Sequence, residues 1–235
     1  MNMWTHIGIS AVVATVLTFV SYFLGIHYAW IDSLNWLEIA AVWTSYSCTY
    51  LCVFQQRSNY PIGFVSIILL GIMFWQQKLF GSMALQIYLI GPMLYGWLRW
   101  GNKNLQVTRL GWDKWTALYG VSTLLIFVAI YFSSTYFDGN AVVLDSSIFA
   151  GSILAQFLLD NKKMENWWVW ILVDIVSVYE YTGQGLFVVA IQMGLFILNA
   201  GWGLYEWKKT EFTDDDFIWN ESHTGAGLVH ILYKE

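Results

Sequence analysis

Residues 165–207 read ENWWVWILVDIVSVYEYTGQGLFVVAIQMGLFILNAGWGLYEW. Between Glu165 and Glu206 the only charged side chains are Asp174 and Glu180. Two apolar runs, Trp167–Tyr181 and Gly185–Tyr205, are separated by a short polar break. Each has helical length, and neither has a polar face broad enough to meet water. Trp and Tyr crowd the ends of both runs, as they do where a helix leaves lipid for the interface. The stretch therefore reads as a pair of membrane-crossing helices.

Working outward, the same pattern recurs to the N-terminus. Further helices are expected near Ile7–Tyr28, Trp36–Phe54, Tyr60–Trp75, Ser82–Trp97, Trp115–Ser133 and Val142–Leu159. Several are shorter than the roughly 20 residues that cross a bilayer squarely, and flanking aromatics extend them. Charged residues make up 11% of the 235 residues, against about 25% in soluble domains. The expected fold class is an all-α integral membrane protein of about eight transmembrane helices. The N-terminus lacks a basic region and a cleavage site, so its first apolar run is expected to be a retained helix. Pro92, beside Gly91, is expected to kink the fourth helix.

Placing the N-terminus in the cytoplasm puts ten of the eleven basic residues on inner segments, leaving only Lys78 outside. Asp32, Glu38, Asp138 and Asp145 fall in or near outer loops. That split predicts both termini inside. The net charge of -5 resides largely in the tail after Trp207. No basic face exists for nucleic acid to bind.

Two parts of the chain match at an offset of 106–107 residues. Asn59 and Asn166 open the third and seventh helices, and Trp75 and Tyr181 close them. Gln86 matches Gln192, Gly96 matches Gly203, and Trp100 matches Trp207. The expected organisation is an extra N-terminal helix (1–35), a three-helix repeat (36–101), a linker helix (102–138), a second repeat (139–207) and a cytoplasmic tail (208–235). Three helices plus one linker restore direction, so the repeats are parallel, and a solute site is expected between them.

Candidate site residues follow from helical spacing. Trp167, Trp170, Asp174, Ser177 and Tyr181 share one face. A carboxylate at mid-membrane costs roughly 2.5–3.5 kcal/mol on insertion scales. Asp174 therefore either lines a solute pathway or is bonded to donors of neighbouring helices. Gln192 and Asn199, seven apart, share a face of the last helix, with Gln86 as the mate of Gln192. Their amides suit sugar hydroxyls or a carboxamide; the structural alternative is interhelical bonding. Trp43, Tyr46, Tyr50 and Phe54 form a stripe that is either packing or a stacking wall for a planar solute. Glu180, off the Asp174 face, is expected to be solvated. Cys48 and Cys52 are expected to be small packing residues. No GxxxxGK[ST] loop, HExxH or nucleophile motif appears. No metal, cofactor or enzymatic activity is expected. The tail, with Asp214, Asp215 and Asp216 beside Trp219, is a candidate docking segment.

Glu165-Asn166-Trp167, Trp170, Asp174, Tyr181, Gly185-Leu186, Ala190 and Gly203 to Trp207 together resemble the nicotinamide riboside transporters of the PnuC family. Pro61, Gly63, Leu85-Gln86, Gly96 and Trp100 fit the same family. The resemblance covers roughly Glu38 to Trp207. It implies a bacterial inner-membrane facilitator with a SWEET-like arrangement of parallel triple-helix bundles, assembled as a homotrimer. It implies passage of nicotinamide riboside, a vitamin B3 precursor for NAD biosynthesis, down its gradient, with trapping by a cytoplasmic kinase. Members similar in sequence carry thiamine, riboflavin or deoxynucleosides. Where the family has Leu-Tyr in the last helix, this chain has Ile191-Gln192, on the proposed ligand face. The rival readings are the same fold carrying thiamine or another nucleoside-like vitamin, and a membrane scaffold or membrane-embedded enzyme. A pyridinium ring would stack on Trp75, Trp170 or Tyr181.

Overall fold

A computed structural model describes residues 2–30, 35–76, 80–102, 104–111, 114–136 and 142–211. The acidic stretch of the tail and Lys78 lie outside the described residues. Among the described residues there are eight helices: α1 (Met3–His27), α2 (Trp36–Val53), α3 (Asn59–Gln76), α4 (Phe80–Arg99), α5 (Lys114–Tyr136), α6 (Val142–Asp160), α7 (Asn166–Gly183) and α8 (Phe187–Lys208). Each expected helix is found, with ends shifted by up to about four residues. Their lengths of 18 to 25 residues correspond to about 27–38 Å, enough for a hydrocarbon core of about 30 Å.

α1, α3 and α8 are long and apolar enough to cross a membrane on length and composition alone. α2, α4, α6 and α7 carry polar residues that the fold turns inward. The outside is apolar: Phe19 and Phe23 on α1, Leu94 and Leu98 on α4, Leu125 and Phe132 on α5 are all exposed. In water such a surface would not persist, and it is the surface a bilayer solvates. Pro92 lies inside α4 without ending it.

α3 packs between α2 and α4, and α7 between α6 and α8. The two triples meet where α2 contacts α8 and α4 contacts α6. α1 lies against α2 and α8, and α5 against α6. Hydroxyls fasten α1 to α2: Ser10 to Ser47 at 3.0 Å and Ser21 to Tyr46 at 2.8 Å, with the Trp43 indole donating to Thr15 at 3.0 Å. Bonds of this kind contribute roughly 0.6–2 kcal/mol each between membrane helices.

Local geometry recurs 107 residues apart. α2 ends at Val53 and α6 at Asp160. Two residues on, Gln55 and Lys162 both take positive φ, 52° and 50°. Then the Asn59 side chain donates to the carbonyl of Gln56 at 2.8 Å, and that of Asn166 to the carbonyl of Lys163 at 2.6 Å. An amide that reaches back three residues holds the turn before the helix that follows. Gln55 and Lys162 meet, with Lys162 Nζ donating to Gln55 Oε1 at 3.0 Å. Burial draws the Lys162 ammonium below its ordinary pKa.

Gly96 and Gly203 sit where rings press on a helix. A Cβ on Gly203 would lie 2.5 Å from the Trp167 indole, and one on Gly96 would overlap the Tyr60 ring and the Asp160 carboxylate. The α4–α5 connection crosses this end of the bundle. There Thr108 pairs with Lys163, Val107 with Glu211, and Arg109 with the Glu211 carboxylate. The guanidinium holds the Glu211 carboxyl below its ordinary range.

Candidate functional site

A cavity of about 240 Å³ lies between the two triples and is lined from α2, α3, α4, α6, α7 and α8, plus Ile130 of α5. α1 contributes nothing to it. The α7 face supplies Trp167, Trp170, Asp174, Ser177 and Tyr181. These are the five residues whose spacing put them on one face. Gln192 and Asn199 come from α8 and Gln86 from α4. Six of the nine candidate binding residues thus converge on one space: Gln86, Trp170, Asp174, Tyr181, Gln192 and Asn199.

Three do not. Trp75 is 61% exposed at the end of α3, and its neighbour Phe74 lines the cavity instead. One residue is 100° of rotation on a helix, so pairing Trp75 with Tyr181 chose the wrong register; Phe74 stands 107 residues before Tyr181. Trp43 and Tyr46 face α1 and α8: the Trp43 indole bonds Thr15, and Tyr46 bonds Ser21 and meets the Phe196 ring edge-on at 5.6 Å. The cavity side of α2 carries Ser45, Cys48, Thr49 and Cys52. The aromatic stripe is packing, and the small polar face is the lining. Trp75→Ala and Trp43→Phe are accordingly expected to leave solute affinity within about threefold of wild type in equilibrium binding, since neither touches the cavity.

Glu180 is also corrected. It is buried, and Gln184 donates to its Oε1 at 2.9 Å. It flanks the Ser177 side of α7, so the helix turns it into the bundle instead of into solvent.

The polar lining is under-satisfied. Gln192 is fully buried, and neither its amide nitrogen nor its carbonyl oxygen has a protein partner among the described residues. Asp174 is 4% exposed, and no hydrogen bond or ion pair is found for it among the described residues. Gln86 makes one long bond, 3.5 Å, to the Ser82 carbonyl. Buried amides and carboxylates cost free energy unless bonded. A cavity lined by several such groups offers donors and acceptors to whatever occupies it. Among the described lining residues one carboxylate is present and no Lys, Arg or His. The site is therefore electronegative and aromatic.

Spacing did not single out Gln156 and Asp160 of α6. Gln156 lines the cavity and donates to Asp160 Oδ1 at 2.8 Å. Tyr60 donates to the same oxygen at 2.9 Å. Followed by Asn161, Lys162 and Lys163, Asp160 reads as a solvated helix end. The signal that distinguishes it is the 107-residue offset, which sets it opposite apolar Val53.

Residues 35–209, three quarters of the chain, match the family model described as "Nicotinamide mononucleotide transporter". The chain belongs to the nicotinamide mononucleotide transporter family. It is a multi-pass membrane transporter. It is 25% identical over 189 residues to the nicotinamide riboside transporter PnuC of Escherichia coli, covering 68% of this chain and 79% of that protein. It is 26% identical over 165 residues to the riboflavin/roseoflavin transporter RibM of Streptomyces davaonensis, covering 63% and 73%. A solved structure titled as the vitamin B3 transporter PnuC superposes with a TM-score of 0.69 at 20% identity, covering 89% of this chain and 97% of that one. At that identity the superposition speaks for the fold.

Proposed function

We propose that this protein passes nicotinamide riboside across the bacterial inner membrane by facilitated diffusion, and that a cytoplasmic kinase traps it by phosphorylation. The observation that carries this reading is Asp174, without a protein partner among the described residues, in a cavity whose described lining has aromatic rings, three amides from the candidate set and no cationic side chain. A pyridinium riboside brings a positive ring for Asp174, a flat face for Trp170 or Tyr181, and hydroxyls and a carboxamide for Gln86, Gln192 and Asn199. A phosphorylated mononucleotide would bring two negative charges into a low-dielectric space that offers no counter-charge. The riboside, not the mononucleotide of the family's description, is thus the solute this lining favours.

The same proposal divides the chain into an extra helix (1–35), two parallel three-helix units (36–101 and 139–207) joined by the linker helix (102–138), and a cytoplasmic tail. Rocking one unit against the other would expose the cavity to each side in turn. Arg57, Arg99, Lys162, Lys163, Lys208 and Lys209 gather at one end of the helices, which supports placing that end, and both termini, in the cytoplasm. Assembly as a homotrimer rests on the family resemblance.

The test is calorimetry on the detergent-purified protein with nicotinamide riboside, nicotinamide mononucleotide, thiamine and riboflavin side by side. Micromolar binding of the riboside, with the mononucleotide at least about 100-fold weaker, is the expected result; a factor of that size reflects roughly 3 kcal/mol of unpaired charge burial. Binding of thiamine or riboflavin in its place would keep the transporter and change the solute. RibM among the relatives makes riboflavin a necessary arm of the comparison.

A further inference from the structure

We propose that Tyr60, Asp160 and Gln156 form a latch that closes the basic end of the cavity and that a bound solute loosens. The proposal rests on the transporter reading but not on the identity of the solute.

Four rings close that end. Tyr60 meets Trp100 edge-on at 5.2 Å, Trp100 meets Trp207 at 6.1 Å, and Trp207 meets Trp167 edge-on at 5.3 Å. All four are buried. The set is related to itself by the 107-residue offset: Tyr60 corresponds to Trp167, and Trp100 to Trp207. The indoles act alike on both sides. Trp100 donates to the Asp160 carbonyl at 3.2 Å, at the end of α6, and Trp207 to the Val53 carbonyl at 3.1 Å, at the end of α2.

The side chains at those two helix ends differ. On one side Tyr60 of α3 and Gln156 of α6 both donate to Asp160 Oδ1. On the other, the corresponding positions hold Val53 and Trp167, an apolar pair. The molecule thus contains its own control, because the same seam is built once without a carboxylate. Packing does not require Asp160. Its second oxygen, Oδ2, is buried with no protein partner among the described residues, so the carboxylate is kept at a cost. A contact that the fold can do without, and that pins α6 of one triple to α3 of the other, suits a contact that must break.

Gln156 connects this contact to the cavity. Its side chain lines the solute space while its Nε2 is engaged by Asp160. A solute that takes the Gln156 amide withdraws one of the two donors from Asp160 and weakens the hold on α6. Occupancy and opening at the basic end are thereby coupled. The opposite end carries an apolar cluster of Met73, Phe74, Tyr181, Val189 and Ala190, so the Asp160 contact belongs to one end.

The chain's two cysteines report on this directly. Cys48 and Cys52 both line the cavity, and they are the only ones. In proteoliposomes, their rate of reaction with a membrane-impermeant thiol reagent applied at the basic face measures opening there. Tyr60→Phe, which keeps the ring, is expected to raise that rate about tenfold, the factor that corresponds to the upper range for one neutral hydrogen bond. Asp160→Val, which installs the residue of the other side, is expected to do the same. Asp160→Asn, which keeps an acceptor oxygen, is expected to track wild type. A lowered melting temperature with unchanged cysteine reactivity in Tyr60→Phe and Asp160→Val would reduce the contact to packing and overturn the proposal. Failure of nicotinamide riboside to bind the wild type would sink the proposed solute and leave the reactivity result standing.

Discussion

Asp174→Asn is expected to weaken binding of nicotinamide riboside by roughly 10–100-fold, the range for losing one interaction with a charged group in a buried site. Asn keeps the shape of Asp and one of its acceptor oxygens, so packing around α7 is preserved and the loss reports chiefly on charge. Asp174 is buried, lines the cavity, and has no bonding partner among the described residues. Under the proposed function, the cation that completes this carboxylate arrives with the solute. The same variant separates passive from proton-linked transport. Under facilitated diffusion, uptake by the wild type does not follow an imposed proton gradient, and Asp174→Asn changes affinity alone. Wild-type uptake that follows the gradient, with the dependence lost in Asp174→Asn, would make Asp174 a proton carrier and defeat the passive reading.

Gly203→Ala is expected to lower the melting temperature in detergent by roughly 3–10 °C, from about 1–3 kcal/mol of overpacking. The added methyl would lie 2.5–2.6 Å from three atoms of the Trp167 indole. That indole is itself wedged against Trp207, which is fully buried. Two residues earlier on α8, Gly201 has nothing within 4 Å of its virtual Cβ. Gly201→Ala is therefore the matched control, neutral or slightly stabilising through helix propensity. Gly96→Ala should behave like Gly203→Ala, because its methyl would strike Tyr60 and Asp160, with Gly91→Ala, also open, as its control. Equal melting temperatures for Gly203→Ala and Gly201→Ala would mean that the Trp167 ring moves aside freely, and that the ring plug is not close-packed.

Much of the site was legible because a helix converts spacing into a face. Trp167, Trp170, Asp174, Ser177 and Tyr181 needed only the 100° step to be placed together, and they line one cavity. The α2 stripe of Trp43 and Tyr46 was equally periodic, yet it faces α1 and α8. Periodicity shows that residues share a side of a helix and says nothing about which neighbour that side meets. A large aromatic face and a small polar face are both candidates for a cavity wall. Only the position of α1 decides between them. Trp75 failed for a simpler reason: a one-residue slip in matching the two parts of the chain is a 100° error, enough to exchange a lining Phe74 for an outward Trp75.

The sequence by itself determined that this chain lives in lipid, that it forms about eight membrane-crossing helices, and that one face of α7 is polar. These follow from composition and local periodicity, which need no partner to be read. Tertiary structure alone decided which polar groups are left unsatisfied. Among the described residues, Gln192 lacks partners while Asp160 has two donors on one oxygen, although both are polar residues in apolar helices. The difference arises because Tyr60, a hundred residues from Asp160 in the chain, is brought within 2.9 Å of it, and nothing comparable is brought to Gln192. Satisfaction of a buried polar group is a property of what packs against it, and packing between distant helices is not written in the spacing of either one.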